Sequence, residues 1–139
     1  MKKKVLFLCT GNSCRSQMAE GLLRNLAGNK FEVYSAGTKP AKVNETTVAV
    51  MKEIGIDISG HRSKSVNEFI KNHFDYVITV CDSAKESCPI FPSKGILLHW
   101  PFPDPPHDQG VTEETIRQFR TVRDMIRERI KKEINQDLL

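Results

Sequence analysis

Val5-Leu6-Phe7-Leu8-Cys9-Thr10-Gly11-Asn12-Ser13-Cys14-Arg15-Ser16 carries four apolar residues into a run of small and polar ones, and that run leads into a helix-forming segment. The pattern predicts a buried strand over 4–9, a tight loop, and a helix from Cys14 to about Ala27. On that helix Met18, Leu22, Leu23 and Leu26 recur at three- and four-residue spacing, and Gly28-Asn29 supplies its stop. A loop between a strand end and a helix start gathers backbone amides and the positive end of the helix at one point, which suits an anion. Cys9 opens the loop and Arg15 closes it, placing a nucleophilic thiol beside a forked cation. Gly11, Asn12 and Ser13 let the chain bend so that successive amides converge, and Ser16 can donate a hydrogen bond to a thiolate. A cysteine with five residues before an arginine is by itself a short pattern, and an inert core thiol is the competing reading. The strand-to-helix context favours catalysis.

Outward from this stretch, Phe31 to Ala36 alternates at period two before Gly37 and reads as a second strand, which completes a βαβ unit. Asn44 is positioned to cap a helix through about Ile54, with Val48, Met51 and Ile54 on one side. Ser65-Val66-Asn67-Glu68 has capping-box spacing before Phe69 and Ile70 and predicts that a further helix starts there. Asp75 to Cys81 is rich in β-branched residues and reads as a third strand, and Ile96 to Trp100 as a fourth. From Pro101 to Pro106 four of six residues are proline, a stiff loop rather than a linker. Thr112 caps a long last helix on which Ile116, Phe119, Val122, Ile126, Ile130 and Ile134 form a core-facing stripe. The expected architecture is a single α/β domain over 1–139, with a mostly parallel sheet. Ligands in such folds sit beyond the carboxyl ends of the strands, where both Cys9 and Cys81 fall, so the two thiols are expected to share one site.

Bulk properties exclude several classes. The chain has 139 residues, 39% hydrophobic and 27% charged, without repeats or low-complexity segments. Its net charge of +4 is spread over Lys2 to Lys4 and several helix faces, with no arginine–aromatic stripe, so nucleic-acid binding is not expected. Met1 to Leu8 superficially resembles a secretion signal, but an export signal needs about 7 to 15 apolar residues, and polarity returns at Thr10. No apolar run approaches the roughly 20 residues of a membrane span, and a cytoplasmic location without membrane attachment is expected. In a reducing compartment four cysteines are core, metal or catalytic residues rather than structural disulfides.

A leaving group needs an acid. Asp104, held among the prolines, is the candidate, and a structural turn aspartate is an equally good reading. Cys81 and Cys88 are separated by six residues. Structural zinc pairs have about two to four residues between ligands, and no second pair stands nearby, so no metal site is expected. Cys81 at a strand end could be a core thiol, whereas Cys88 lies in a polar segment that contributes little to a core.

The loop Cys9 to Ser16, the downstream Asp104-Pro105 and the chain length resemble the low-molecular-weight tyrosine phosphatase superfamily. Gln17-Met18-Ala19-Glu20, without the proline usual after the serine in phosphatases, is closer to its thioredoxin-coupled arsenate reductases. This resemblance implies a four-stranded parallel sheet flanked by helices. Cys9 is then the nucleophile, Arg15 with the amides of Thr10, Gly11, Asn12, Ser13 and Cys14 the oxyanion site, Ser16 a donor to the thiolate, and Asp104 the general acid. It further implies a relay. Cys9 attacks arsenate, Cys81 attacks Cys9 to release arsenite, and Cys88 takes over the disulfide, which is presented to thioredoxin. Electrons come from thioredoxin with no tightly bound cofactor, phosphate or sulfate competes with arsenate, and a monomer is expected. Cys14 has no redox part and is expected to pack under the loop. Some relatives bind potassium through residues matching Asn12, Glu20, Ser35 and an aspartate, where this chain has Lys64. Its ammonium is expected to replace the cation, a role set against that of an idle surface lysine. The alternatives to a reductase are a tyrosine phosphatase and a non-catalytic oxyanion- or redox-sensing protein.

Overall fold

The computed structural model describes residues 2–82, 91–106 and 109–136. Its elements are β1 (Lys3–Cys9), α1 (Arg15–Ala27), β2 (Phe31–Gly37), α2 (Glu45–Lys52), β3 (Tyr76–Thr79), β4 (Ile96–His99) and α3 (Glu113–Asn135). The four strands form one parallel sheet in the order β2-β1-β3-β4. The expected α/β single-domain architecture is therefore observed.

Alternation along β1 sorts the core. Val5, Phe7 and Cys9 join the larger apolar cluster with Met18, Leu22 and Leu23 of α1, Val50 and Met51 of α2, and Phe119, Ile126 and Ile130 of α3. Leu6 and Leu8 face the other way, into a smaller cluster with Phe74, Val77 and Phe91. Among the described residues α1, α2 and α3 all contribute to the first cluster and none of them to the second. The second face is covered by aromatic rings, Tyr34, Phe69, Phe74 and Phe91, with neighbouring centroids 5.7 to 5.9 Å apart. Truncating a fully buried ring such as Phe7 to alanine costs about 3–5 kcal/mol.

The helix ends follow their caps. Asn44 Oδ1 accepts from the amides of Thr46 and Thr47 to start α2, and Thr112 forms a reciprocal capping box with Thr115 to start α3. The helix expected after Ser65 is one 3-10 turn, Val66–Glu68. Ser65 does cap Asn67, but Glu68 pairs with Arg62 rather than closing a box. Beyond it Lys71-Asn72-His73 offers no apolar face to bury, and Phe69 packs its ring on Tyr34 and Phe74 instead. β3 is shorter than expected, leaving Cys81 two residues past its end. Leu26 is 37% exposed, since the apolar stripe of α1 outruns its cover in the last turn. β4 is an edge strand, which leaves Ile96 and Leu97 exposed.

Candidate active site

Cys9 is the last residue of β1, buried and a free thiol. Its Sγ lies 2.8 Å from Ser16 Oγ and accepts from the Asn12 amide at 3.3 Å. Asn12 has φ +50°, the left-handed conformation that asparagine tolerates better than most residues, and its side chain is fully buried. Its Nδ2 donates to Ser16 Oγ at 2.8 Å and Ser35 Oγ at 2.9 Å, while Oδ1 accepts from the Lys64 amide at 2.8 Å.

The segment after β2 lies along the loop as a strap. Lys39, Ala41 and Asn44 donate their amides to the carbonyls of Thr10, Gly11 and Ser13 at 2.9, 3.0 and 3.1 Å. In a planar trans peptide the N–H points opposite to the C=O. With three loop carbonyls turned toward the strap, the amides of Gly11, Asn12 and Cys14 are turned away from it, and the Asn12 amide does reach the Cys9 sulfur. No side chain caps the start of α1 and its first turn holds no acidic residue, so the helix terminus keeps its positive end. Gly37 makes the close approach possible. A Cβ there would stand 2.4 Å from Thr10 O and 2.9 Å from the Asn12 amide nitrogen, both backbone atoms. Neither the strap nor Gly37 is legible in the sequence as part of the site, because neither carries a reactive group. Their signal is the paired register, with Gly37 directly opposite Cys9.

Arg15 is 4% exposed and joins the loop to the proline-rich segment, donating Nη1 to Phe102 O at 3.2 Å and placing Nη2 3.4 Å from Asp104 Oδ1. That segment is anchored by buried Trp100 and Phe102, with Trp100 between the Phe7 ring at 6.0 Å and the Arg129 guanidinium at 5.1 Å. Asp104 remains 39% exposed on its side chain, which suits a group that exchanges protons with solvent. Cys9, Arg15 and Asp104, expected as nucleophile, clamp and acid, thus lie at the carboxyl end of the sheet.

The other thiols differ. Burial pushes Cys14 up to about 11, against the nearby hydroxyls of Thr47 and Ser13, which lower it. Cys81 is fully buried and disulfide-bonded. Since Leu8 pairs with Thr79, Cys9 and Cys81 lie one and two residues beyond the last paired positions of neighbouring strands. Cys88 lies outside the described residues.

Glu20, also buried, is saturated with donors: Ser35 Oγ at 2.5 Å, Arg24 Nη2 at 2.8 Å and Lys64 Nζ at 3.5 Å. Lys64 keeps only 13% of its side chain exposed and also donates to Arg62 O at 3.0 Å. A potassium ion does not fit this donor set, because an ammonium already faces the carboxylate that would bind it. His61, 3.7 Å from Glu20, is held below the ordinary histidine range chiefly by burial, with Arg24 and Lys64 adding to the effect and Glu20 and Asp57 opposing it. Among the described residues no group of three His, Cys, Asp or Glu could hold a metal.

The family model described as low molecular weight phosphotyrosine protein phosphatase matches residues 4–138. The arsenate reductase of Halalkalibacterium halodurans is 48% identical over 130 residues, 94% of either chain. Among solved structures, an arsenate reductase in the phosphate binding state aligns with TM-score 0.79 and 38% identity over 96% of this chain and 98% of that one. A thioredoxin-dependent arsenate reductase of Corynebacterium glutamicum aligns with TM-score 0.72 and 29% identity, covering 97% of this chain and 61% of that one. On this match across nearly its whole length, the chain belongs to the low molecular weight phosphotyrosine protein phosphatase family.

Proposed function

We propose that the protein is an arsenate reductase in which Cys9 is the nucleophile and Arg15 with the loop amides holds the oxyanion. Asp104 is the general acid, and Cys81 and Cys88 pass the oxidation on to thioredoxin. The Cys9 thiolate, accepting from Ser16 and the Asn12 amide, attacks arsenic, and an oxygen leaves as water with a proton from Asp104. Arg15 gathers the oxygens of the anion while the amides of Gly11, Asn12 and Cys14 meet its charge. The Cys81 thiolate then attacks Cys9 Sγ. The sulfur–arsenic electron pair passes to arsenic, As(V) becomes As(III), arsenite leaves, and a Cys9–Cys81 disulfide remains. Attack of Cys88 on Cys81 frees Cys9, and the dithiol of thioredoxin reduces the Cys81–Cys88 disulfide with two electrons.

The observation that carries this reading is the contrast between two adjacent strand ends, with Cys9 free and surrounded by donors and Cys81 already disulfide-bonded. That pattern fits the stage after arsenite release and before thioredoxin. The names of the relatives support the substrate, and the thioredoxin-dependent neighbour supports the electron donor. Phosphate and sulfate are competing anions, consistent with the phosphate binding state of the similar structure. The setting is cytoplasmic and the protein monomeric, with no tightly bound cofactor. Among the described residues no helix is long and apolar enough to cross a membrane.

The test follows arsenite production with thioredoxin, thioredoxin reductase and NADPH for the native chain, Cys81→Ser and Cys88→Ser, beside aryl-phosphate hydrolysis. Both variants should lose multiple turnover and keep weak hydrolysis through Cys9. Continuous arsenate reduction by both would overturn the relay. Hydrolysis without arsenite production by the native chain would make it a phosphatase, and disulfide formation without either a sensor. Lys64 Nζ against Glu20 further makes activity independent of potassium, and a several-fold gain on replacing sodium by potassium would refute that role.

A further inference from the structure

Gln17 is fully buried in the first turn of α1, and its amide touches polar groups at both ends. Nε2 stands 3.1 Å from Asn12 Oδ1, 3.2 Å from Asn12 O and 3.0 Å from Arg62 O, while Oε1 lies 2.9 Å from His61 Nδ1. Three oxygens around one end of an amide identify that end as the nitrogen. Oε1 therefore faces His61, whose Nδ1 donates. Arg24 Nη1, 3.3 Å from His61 Nε2, can only donate, so Nε2 accepts and the imidazole is the neutral Nδ1–H tautomer. The same reasoning orients Asn12. Its Oδ1 receives Gln17 and the Lys64 amide, which leaves Nδ2 for Ser16 and Ser35. Ser16 Oγ accepts from Asn12 and turns its own proton to the Cys9 sulfur at 2.8 Å. Every bond runs one way, from His61 through Gln17, Asn12 and Ser16 to Cys9, and such chains strengthen each member.

We infer that Gln17 is a positioning residue for the nucleophile: by fixing the Asn12 amide it commits the Ser16 proton to the Cys9 sulfur. If the Asn12 amide turned over, Oδ1 would face Ser16, take its proton, and leave a hydroxyl lone pair against the thiolate. The Lys64 amide opposes that flip from one direction and Gln17 from another, also holding the Asn12 carbonyl. Ser63 Oγ donates to the same carbonyl at 2.7 Å, so the left-handed residue is gripped from α1 and from the segment before the Val66–Glu68 turn. The inference rests on Cys9 being the nucleophile of the proposed reaction. Its test reads sulfur reactivity rather than arsenate turnover, so that each can fail without the other.

The experiment alkylates the full-length chain with iodoacetamide across the neutral pH range and follows the mass of the Cys9 peptide. Gln17→Met keeps the side chain's length and removes both donors, and Gln17→Glu replaces the donors with a charged acceptor. At neutral pH Cys9 alkylation should slow roughly three- to tenfold in Gln17→Met and further in Gln17→Glu, with the pH profile displaced upward and its plateau kept. In a Ser16→Ala background Gln17→Met should change the rate less than about twofold, because the link to sulfur is already cut. An unmoved profile in Gln17→Met, or an equal displacement with and without Ser16, would overturn the inference. If neither Gln17 variant folds, His61→Ala removes the outer support of Gln17. It should displace the profile in the same direction by less, and no displacement would overturn the inference equally.

Discussion

The loop that follows β1 has two sides, each holding a free thiol of 3% exposure, Cys9 on one and Cys14 on the other. On the first side the sulfur meets the Ser16 hydroxyl and the Asn12 amide, and Arg15 of the same loop reaches Asp104 across the fold. On the second the thiol lies by Ser13 and by Thr47 of α2, where burial outweighs those two hydroxyls and raises it to about 11. Equal burial therefore leaves the two thiols with different neighbours. What separates them is the backbone amide that Cys9 receives in addition to a hydroxyl, whereas Cys14 has hydroxyls alone.

The contrast breaks most readily at the thiols themselves. Cys9→Ser should lower arsenite release by at least about 1000-fold, while Cys14→Ala should stay within about threefold of the native chain. Measured in the coupled NADPH assay, a dead Cys14→Ala enzyme would show that the second side is not inert. A subtler break enters through Gly37, whose added methyl in Gly37→Ala would collide with Thr10 O and the Asn12 amide nitrogen on the Cys9 side alone. A loop displaced by a fraction of an ångström should cost on the order of 100-fold in kcat/KM while the thiol stays present. Native kinetics in that variant would mean that the strap and loop give way together.

Asp104→Asn tests whether the Cys9 side needs its acid. Single-turnover adduct formation should fall about 100-fold, with arsenate affinity changed far less, because a general acid acts on the leaving oxygen. An equal loss in binding would recast Asp104 as an anchor for Arg15.

The smallest effect sharpens the Cys14 side. Folding keeps a proton on this thiol up to about 11, whereas an unperturbed thiol releases it near 9.0. Between these values the unfolded chain binds fewer protons, so the stability present at lower pH is lost as pH rises. Urea unfolding should show a decline on the order of 2–3 kcal/mol across that window that Cys14→Ala removes. A difference between the two chains that stays flat with pH would contradict the raised thiol.

Much of this was legible in the chain. The central strand, the loop and α3 announce themselves through local period and caps, which need no knowledge of distant residues. The Cys9-to-Ser16 loop could be read as an anion cradle because its chemistry lies within eight consecutive positions. Ser65 misled for the same reason. Its capping pattern is local, while the packing of Phe69 on Tyr34 and Phe74, which takes the chain out of the helix, belongs to the surroundings.

Sequence alone determined the parallel α/β layout and the place of Cys9 and Arg15 at a strand-to-helix turn. Tertiary structure decided the direction in which the loop's peptides point and the direction in which its protons run. The strap of Lys39, Ala41 and Asn44 claims the loop carbonyls, Gly37 lets it approach, and Gln17 with the Lys64 amide orients Asn12. The physical reason is that a hydrogen-bonding group has no fixed sense until its partners are known, and most of these partners come from 23 to 52 residues away. A thiol's place can be read from its neighbours in the chain, whereas its charge is set by its neighbours in space.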